Sequence, residues 1–464
     1  MKRRAFLYAR WLYRVFVLVL LSILFNYFSL AQARTKTIFP PGFTNELVVK
    51  GLNSPTNMAW ISDDTMLIAE QGGRVRVFQN GRLLNHDFID ISDQVNTYWE
   101  RGLLGIVVHP DFPRVPYVYL AYAYDPPGVV KDGNGQRVSR LVRVSVDPQN
   151  TSVVVPGSEM ILLGANSIRE NIAGEDLNSR EAGPASCEKN GELVNDCLPA
   201  ESYTHSIGSI AFGNDGSLFV GNGEGARANA LDRRALRAQD IDSLSGKLLR
   251  INPLNGNGYP DNPFFDGDPA HDRSKVWSYG LRNPYTFTMH PATGELFIGD
   301  VGWRTWEEIN VAGRGRNFGW PCYEGDRNHS AVQTSYQLNT ETQRQCATVY
   351  AMGQDVVQAP LSAYRHSKIG AAIVVGAFYQ GSTYPSQYQG ALFFTDFVED
   401  WIRYLVFDPN TGQARAQDFA VHVSPEGNLV RIEAGPDGDL YYLVYNGEAS
   451  EVRRIHYAAN SANP

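Results

Sequence analysis

Charge is scarce in this sequence. Asp, Glu, Lys and Arg make up 19% of its 464 residues, against about 25% in an average soluble chain. With 43% hydrophobic and 12% aromatic residues, the chain is too apolar for a disordered protein. Cysteine is rarer still, at four residues, and no pair has Cys-x-x-Cys spacing, which excludes the common zinc ribbons and thioredoxin-like redox motifs. There is no Gly-x-Ser-x-Gly elbow, no His-Glu-x-x-His zinc helix and no Gly-x4-Gly-Lys-Ser/Thr phosphate loop. Hydrolases of the first two kinds and P-loop enzymes are thereby set aside. Beyond residue 33 no apolar run is long enough to span a bilayer, and no low-complexity linker or change of composition marks a second domain. What the chain does have is glycine, 43 residues of it. That is too many for a helical bundle and fits turn-dense β structure.

Residues 1–33 contain Lys2, Arg3, Arg4, Arg10 and Arg14 and no acid, so setting them aside takes the formal charge from −8 to −13. So acidic a chain repels phosphate backbones, and nucleic acid is not an expected partner. The same segment has a basic head, the apolar run Val15–Phe25 and the small-x-small triplet Ala31-Gln32-Ala33, the layout of an export signal. Arg3-Arg4-Ala5-Phe6-Leu7 also fits twin-arginine export; an uncleaved anchor is the alternative. The expectation is an exported protein, periplasmic or extracellular, with no stable membrane span once the signal is removed. Four cysteines suit that oxidising setting. Local loop closure, Cys187 with Cys197 and Cys322 with Cys346, is the simplest of three pairings, with metal ligation as the competing reading.

A degenerate unit recurs six times: an apolar strand, a tight polar turn and a second β-rich strand. The copies lie at 58–70, 103–122, 208–223, 285–302, 372–397 and 429–446. Their turns use Asp-Gly, Asn-Asp-Gly, Thr-Gly and Pro-Asp, the hairpin vocabulary. About 72 residues per copy exceeds the roughly 40–50 of a minimal propeller blade. The surplus is expected in insertions at about 123–204 and 320–370, each holding one cysteine pair. The predicted fold is all-β, a six-bladed β-propeller with long inserted loops over residues 34–457, followed by a frayed tail at 458–464; a pair of β-sandwiches is the other architecture considered.

In a propeller the loops leading into the innermost strands gather at one mouth of the central channel. If the strand before each turn is innermost, the residues 9–12 positions ahead of the turn converge: Asn53 to Thr56, Glu100 and Arg101, Thr204 and His205, Arg282 and Asn283, and Asn428. Convergent polar groups in a concavity are the default binding site. His205 is the candidate general base, an imidazole being able to take a proton near neutral pH; the other reading is a histidine that merely bonds a neighbouring loop. Arg282 is positioned to stabilise an oxyanion or hold a carboxylate, or else to lock two blades together. Glu100 and Arg101 are candidate substrate contacts. His109 and His290, each before a Pro in a hairpin turn, are expected to be structural. Glu307 and Glu308 face opposite sides if they lie in a strand, so they are not a catalytic carboxylate pair by themselves; a solvated side chain is expected, the alternative being that one pairs with a cation. Asp261-Asn262-Pro263 and Asp266-Gly267-Asp268 are read as turns rather than as a calcium loop. Gly221-Asn222-Gly223-Glu224-Gly225 is read as a loop without dinucleotide context.

Several stretches, in order, resemble the soluble pyrroloquinoline-quinone (PQQ) sugar dehydrogenases, the glucose/sorbosone dehydrogenase family. They include Glu100-Arg101-Gly102-Leu103-Leu104-Gly105 with His109-Pro110-Asp111-Phe112, Gly246-Lys247-Leu248-Leu249-Arg250-Ile251, Gly280-Leu281-Arg282-Asn283-Pro284 and Asn317-Phe318-Gly319-Trp320-Pro321. The similarity runs from about Pro40 to Tyr457 and extends to the hedgehog-interacting-protein-like propellers. The resemblance implies a six-bladed propeller that oxidises the anomeric hydroxyl of an aldose, hydride passing to PQQ, with His205 as base. It implies Arg282, Asn283, Gly302 and Arg431 as cofactor contacts and Gly302 as a calcium contact, and it leaves the electron acceptor unnamed. The family's cofactor-binding Lys falls near Val398 here, and its two carboxylate-holding Arg fall near Asn428 and Val430. The alternative function is a non-catalytic propeller binding a carbohydrate or protein.

Overall fold

The structure is a computed structural model that describes residues 37–174, 185–325, 333–408, 411, 413–424 and 426–458. The expected export signal at 1–33 lies outside these residues, as does the tail beyond 458. Among the described residues no helix is long and apolar enough to cross a membrane.

The six repeats are six blades. Their innermost strands are Pro55–Ser62, Leu103–Val108, Ile207–Phe212, Pro284–Met289, Ile373–Phe378 and Asn428–Ala434, and each packs against the next around a closed ring. These are the strands that precede the hairpin turns, as the repeat pattern requires. Every blade is an antiparallel sheet built outward in chain order, except the sixth. There the outermost strand is Phe43–Leu52, from the other end of the sequence, paired with Ser450–Tyr457 so that Phe43 lies opposite Tyr457.

The second strands Thr65–Glu70, Leu296–Asp300 and Leu392–Asp396 are buried along their whole length. Blades stack face to face, so both faces of a middle strand are covered and the sequence runs nearly continuously apolar instead of alternating. Glycine has a role here beyond the turns. A Cβ at Gly105 would stand 2.6 Å from the Gly208 carbonyl oxygen, and one at Gly208 would stand 2.9 Å from the Tyr285 carbonyl oxygen. Neighbouring blades therefore approach backbone to backbone near the channel.

His109 and His290 hold the hairpin turns at the far end of the ring. The His109 Nδ1 accepts from the Asp111 N–H at 3.1 Å and the His290 Nδ1 accepts from the Thr293 N–H at 3.1 Å. Each ring packs on a Phe of the following blade, Phe212 or Phe378. Both disulfides form as the local pairing predicts, Cys187–Cys197 and Cys322–Cys346. The insertions are narrower than expected: Arg137–Asp147 and Met160–Leu163 are strands of the second blade, and Ser362–Arg365 is the outer strand of the fourth. The stretch leading to that outer strand includes a short helix at Thr334–Leu338 and another at Thr340–Ala351.

Candidate active site

Inner strands begin, and second strands end, on the same side of the ring. A cavity of about 610 Å³ opens there. Its wall is made of residues at those strand ends, among them Glu100, His205, Arg282, Asn283 and Gly302 from the predicted set.

His205 is buried and has a left-handed backbone, φ 56°. A non-glycine residue in that conformation is strained and is held only where the surroundings over-determine it. The surroundings are the glycine-rich loop 221–225. The Gly225 N–H donates to the His205 carbonyl at 3.0 Å, and a Cβ at Gly223 would stand 2.3 Å from that same oxygen. The loop places Glu224 so that its carboxylate meets the His205 Nδ1 at 2.6 Å, while the Trp320 indole N–H donates to the other carboxylate oxygen. Burial and the nearby Arg282 guanidinium hold the His205 pKa well below the ordinary imidazole value. Burial pushes Glu224 up to about 8, against the pull of Arg282. With Nδ1 engaged by Glu224, Nε2 is the nitrogen left to exchange a proton.

Glu100 stands beside this pair. It is open to the solvent in the cavity but enclosed by its walls, which raises its pKa against the opposing charges of His205 and Arg282; its carboxylate accepts the His205 backbone N–H. The Arg282-Asn283 turn is fixed by Asp300, whose carboxylate accepts from both backbone N–H groups at 2.7–3.1 Å. The Arg282 Nη1 donates to the carbonyls of Val301 and Gly302, at 2.7 Å each, and its guanidinium lies 5.6 Å from the centre of the Trp320 ring. Two buried donors on cavity-lining residues have no partner, Arg282 Nε and Trp303 Nε1.

Two predicted contacts point elsewhere. Arg101 is fully buried, and its guanidinium donates to the carbonyls of Gly135, Ala200 and Ser202; it lies off the cavity wall, the corrected reading being a brace between loops. Arg431 pairs with Glu433 and donates to Ser209 at 2.8 Å, while its neighbour Val430 lines the cavity together with Val398. Val430 and Arg431 are neighbours in the inner strand Asn428–Ala434, where adjacent side chains face opposite sides, whereas Glu100 and Arg101 diverge in the turn that precedes Leu103–Val108. Neither Glu307 nor Glu308 is solvated, contrary to expectation. Glu307 is fully buried, its carboxylate accepting the backbone N–H groups of Gly302 and Ile373 and meeting the His366 Nε2 at 2.7 Å. Glu308 accepts from Asn310 and the Gly325 N–H. The 261–268 segment is a set of turns tied to Arg250, Ser274 and His271, and among the described residues no cluster of His, Cys, Asp or Glu is arranged to hold a metal.

Sequence reasoning missed Glu224, Asp300, His366, Trp303 and Trp99. A signal for one group was present: the second strand of three repeats ends in an acid, and Glu70, Asp300 and Asp396 each accept backbone N–H groups of the loop leading into their own inner strand.

The sequence profile of glucose/sorbosone dehydrogenases matches residues 52–160 and 168–453. Aldose sugar dehydrogenase YliI of Escherichia coli (strain K12) is 26% identical over 402 residues, spanning 86% of this chain and 89% of that protein. Among solved structures, a putative oxidoreductase (glucose dehydrogenase) from Thermus thermophilus aligns over 89% of this chain and 100% of its own at 28% identity, with a TM-score of 0.62. The PQQ-bound aldose sugar dehydrogenase of Streptomyces coelicolor shares the fold, with a TM-score of 0.57 over 91% of this chain and 100% of that one at 20% identity. With the profile spanning all six inner strands, the chain belongs to the glucose/sorbosone dehydrogenase family.

Proposed function

We propose that this chain is an exported dehydrogenase that oxidises the anomeric hydroxyl of an aldose, with PQQ as its redox group. The observation that carries this reading is the His205–Glu224 pair opening onto the same cavity as Arg282. The unpartnered Arg282 Nε and Trp303 Nε1 fit the oxygen-rich edge of a flat quinone, and Asn283 and Asn229 add amide groups to the wall. PQQ supplies, when bound, the two-electron acceptor for the C1 hydride. The opposite wall, formed by Phe397, Val398 and Val430, offers no cation, and Arg282 is the one Lys or Arg among the described cavity-lining residues. Retention therefore rests on Arg282 and on the flat aromatic surroundings. The Val301 and Gly302 carbonyls are the hard oxygen donors a calcium ion prefers, so calcium there has to share or displace their contact with Arg282.

His205 acts as general base through Nε2. Glu224 fixes the ring through Nδ1 and offsets the charge that appears on the imidazole as it accepts the hydroxyl proton. Arg282 stabilises negative charge developing on an oxygen beside it. The two disulfides support a periplasmic or extracellular setting.

The test is to add PQQ and Ca²⁺ to the purified full chain and follow reduction of an artificial electron acceptor on adding aldoses. Turnover is expected, and His205→Ala is expected to lose it while PQQ still changes the protein's absorbance. If PQQ alters neither absorbance nor melting temperature, the cofactor assignment fails and a non-catalytic binding role replaces it.

A further inference from the structure

Trp99 is the anomaly of the cavity rim. Most large apolar side chains of this protein are buried, yet the Trp99 indole is 68% exposed while lining the cavity. Its backbone is left-handed, φ 61°, an unusual conformation for a bulky residue. Strain of this kind lasts only when neighbours enforce it, and here they do. The Gln71 side-chain amide donates to the Trp99 carbonyl at 2.7 Å, and Gln71 is itself held by the Tyr445 hydroxyl at 2.8 Å. On the other side the Glu100 N–H donates to the Tyr203 carbonyl at 3.2 Å. The Tyr203 ring meets the edge of the Trp99 ring at 5.9 Å, and Tyr98 backs Tyr203 at 5.8 Å. The result is a rigid, solvent-facing aromatic surface, one residue along the chain from the carboxylate that accepts the His205 backbone N–H.

From this geometry we infer that Trp99, buttressed by Tyr203, is a stacking platform for the second ring of a reducing oligosaccharide whose terminal ring lies at His205. A pyranose has one face of C–H groups, which an exposed indole covers without needing hydrogen bonds, and Glu100 between the two positions accepts from sugar hydroxyls. Because the platform is pinned beforehand, little ordering cost is incurred on binding. This inference rests on the sugar-oxidising reading above and names the substrate class at that same site.

The test compares glucose with cellobiose and maltose on the full chain loaded with PQQ, and titrates the same sugars into cofactor-free protein while recording tryptophan fluorescence. Trp99→Ala is expected to raise KM for the disaccharides about tenfold more than for glucose, with little change in the kcat ratio. Trp99→Phe is expected to restore most of the difference, and Tyr203→Ala to lie between. Disaccharides should shift the emission of the unmodified chain and not that of Trp99→Phe. If Trp99→Ala moves both sugars equally, or moves the KM for the electron acceptor instead, the platform assignment is overturned. If disaccharides shift the Trp99 emission but no sugar is oxidised, the platform stands and the dehydrogenase reading falls.

Discussion

The cavity has two histidine–glutamate pairs, and they are built differently. On the wall from the second to fourth blades, Nδ1 of His205 meets Glu224, whose other side-chain partner is the Trp320 indole. Toward the fifth blade, Nε2 of His366 meets Glu307, which also accepts two backbone N–H groups, those of Gly302 and Ile373. Glu224 thus bonds two side chains as well as the Ala226 backbone, whereas beyond its histidine Glu307 is committed to the main chain. The surroundings differ in the same sense: Glu100, Arg282 and Asn283 flank His205, while Ala371, Ala372, Ile373, Phe397 and Val398 lie on the side of His366. The same two residue types make a proton-handling pair on one wall and a backbone clamp on the other, and the remaining bonds of the carboxylate decide which.

The largest expected difference is between the histidines. His205→Ala should lower kcat by about 10²–10⁴-fold, the usual contribution of a general base. His366→Ala should fall far short of that, measured on the same sugar and acceptor. An equal loss in both variants would erase the distinction. The carboxylates come next. While Glu224 is protonated its proton lies toward Nδ1, the imidazole proton is on Nε2, and no base is available. Losing that proton, with Glu224 pushed up to about 8, frees Nε2, so kcat/KM should rise with pH and level off above about pH 8. Glu224→Gln should lower the plateau and remove this limb; a limb unchanged in the variant would assign it to another group. Glu307→Ala should act on stability instead, by about 2–4 kcal/mol in a denaturant titration, since two buried backbone N–H groups lose their acceptor. The smallest effect tests the apolar wall. Val398→Lys should tighten PQQ binding by about tenfold or less at low ionic strength, an advantage that fades as salt screens it. No tightening would mean that position 398 does not face the cofactor's charge.

The architecture was legible because six approximate copies share one strand-turn-strand grammar, and equivalence between copies is itself topological information. It picked out the inner strands and put Glu100, His205, Arg282 and Asn283 on one cavity wall. It failed at single-residue parity. Arg101 and Arg431 each sit one place from a cavity-lining residue, Glu100 and Val430, and turn inward. It also failed for partners brought together only by the fold. Glu224 lies in what reads as a plain glycine loop, and His366 is 59 residues from Glu307, with helices and a disulfide between them. Trp99 left no trace in the pattern because exposure and backbone strain are properties of the folded rim.

The sixth blade has a consequence for how the protein reaches this state. Five blades can form hairpin by hairpin from neighbouring sequence, but the sixth needs Phe43–Leu52 to find Ser450–Tyr457. Loop-closure cost grows slowly with length, yet contacts of such long range are the slow ones in folding. This outer pairing is therefore expected to form last, as a clasp across the sixth blade. A chain cut short before Ser450 would keep five blades and the two inner strands of the sixth, with Phe43–Leu52 left without its partner. Conversely, joining the residues near 43 and 457 and opening the chain at an exposed turn such as Asp63-Asp64 should leave the propeller intact, with the clasp converted into an ordinary hairpin.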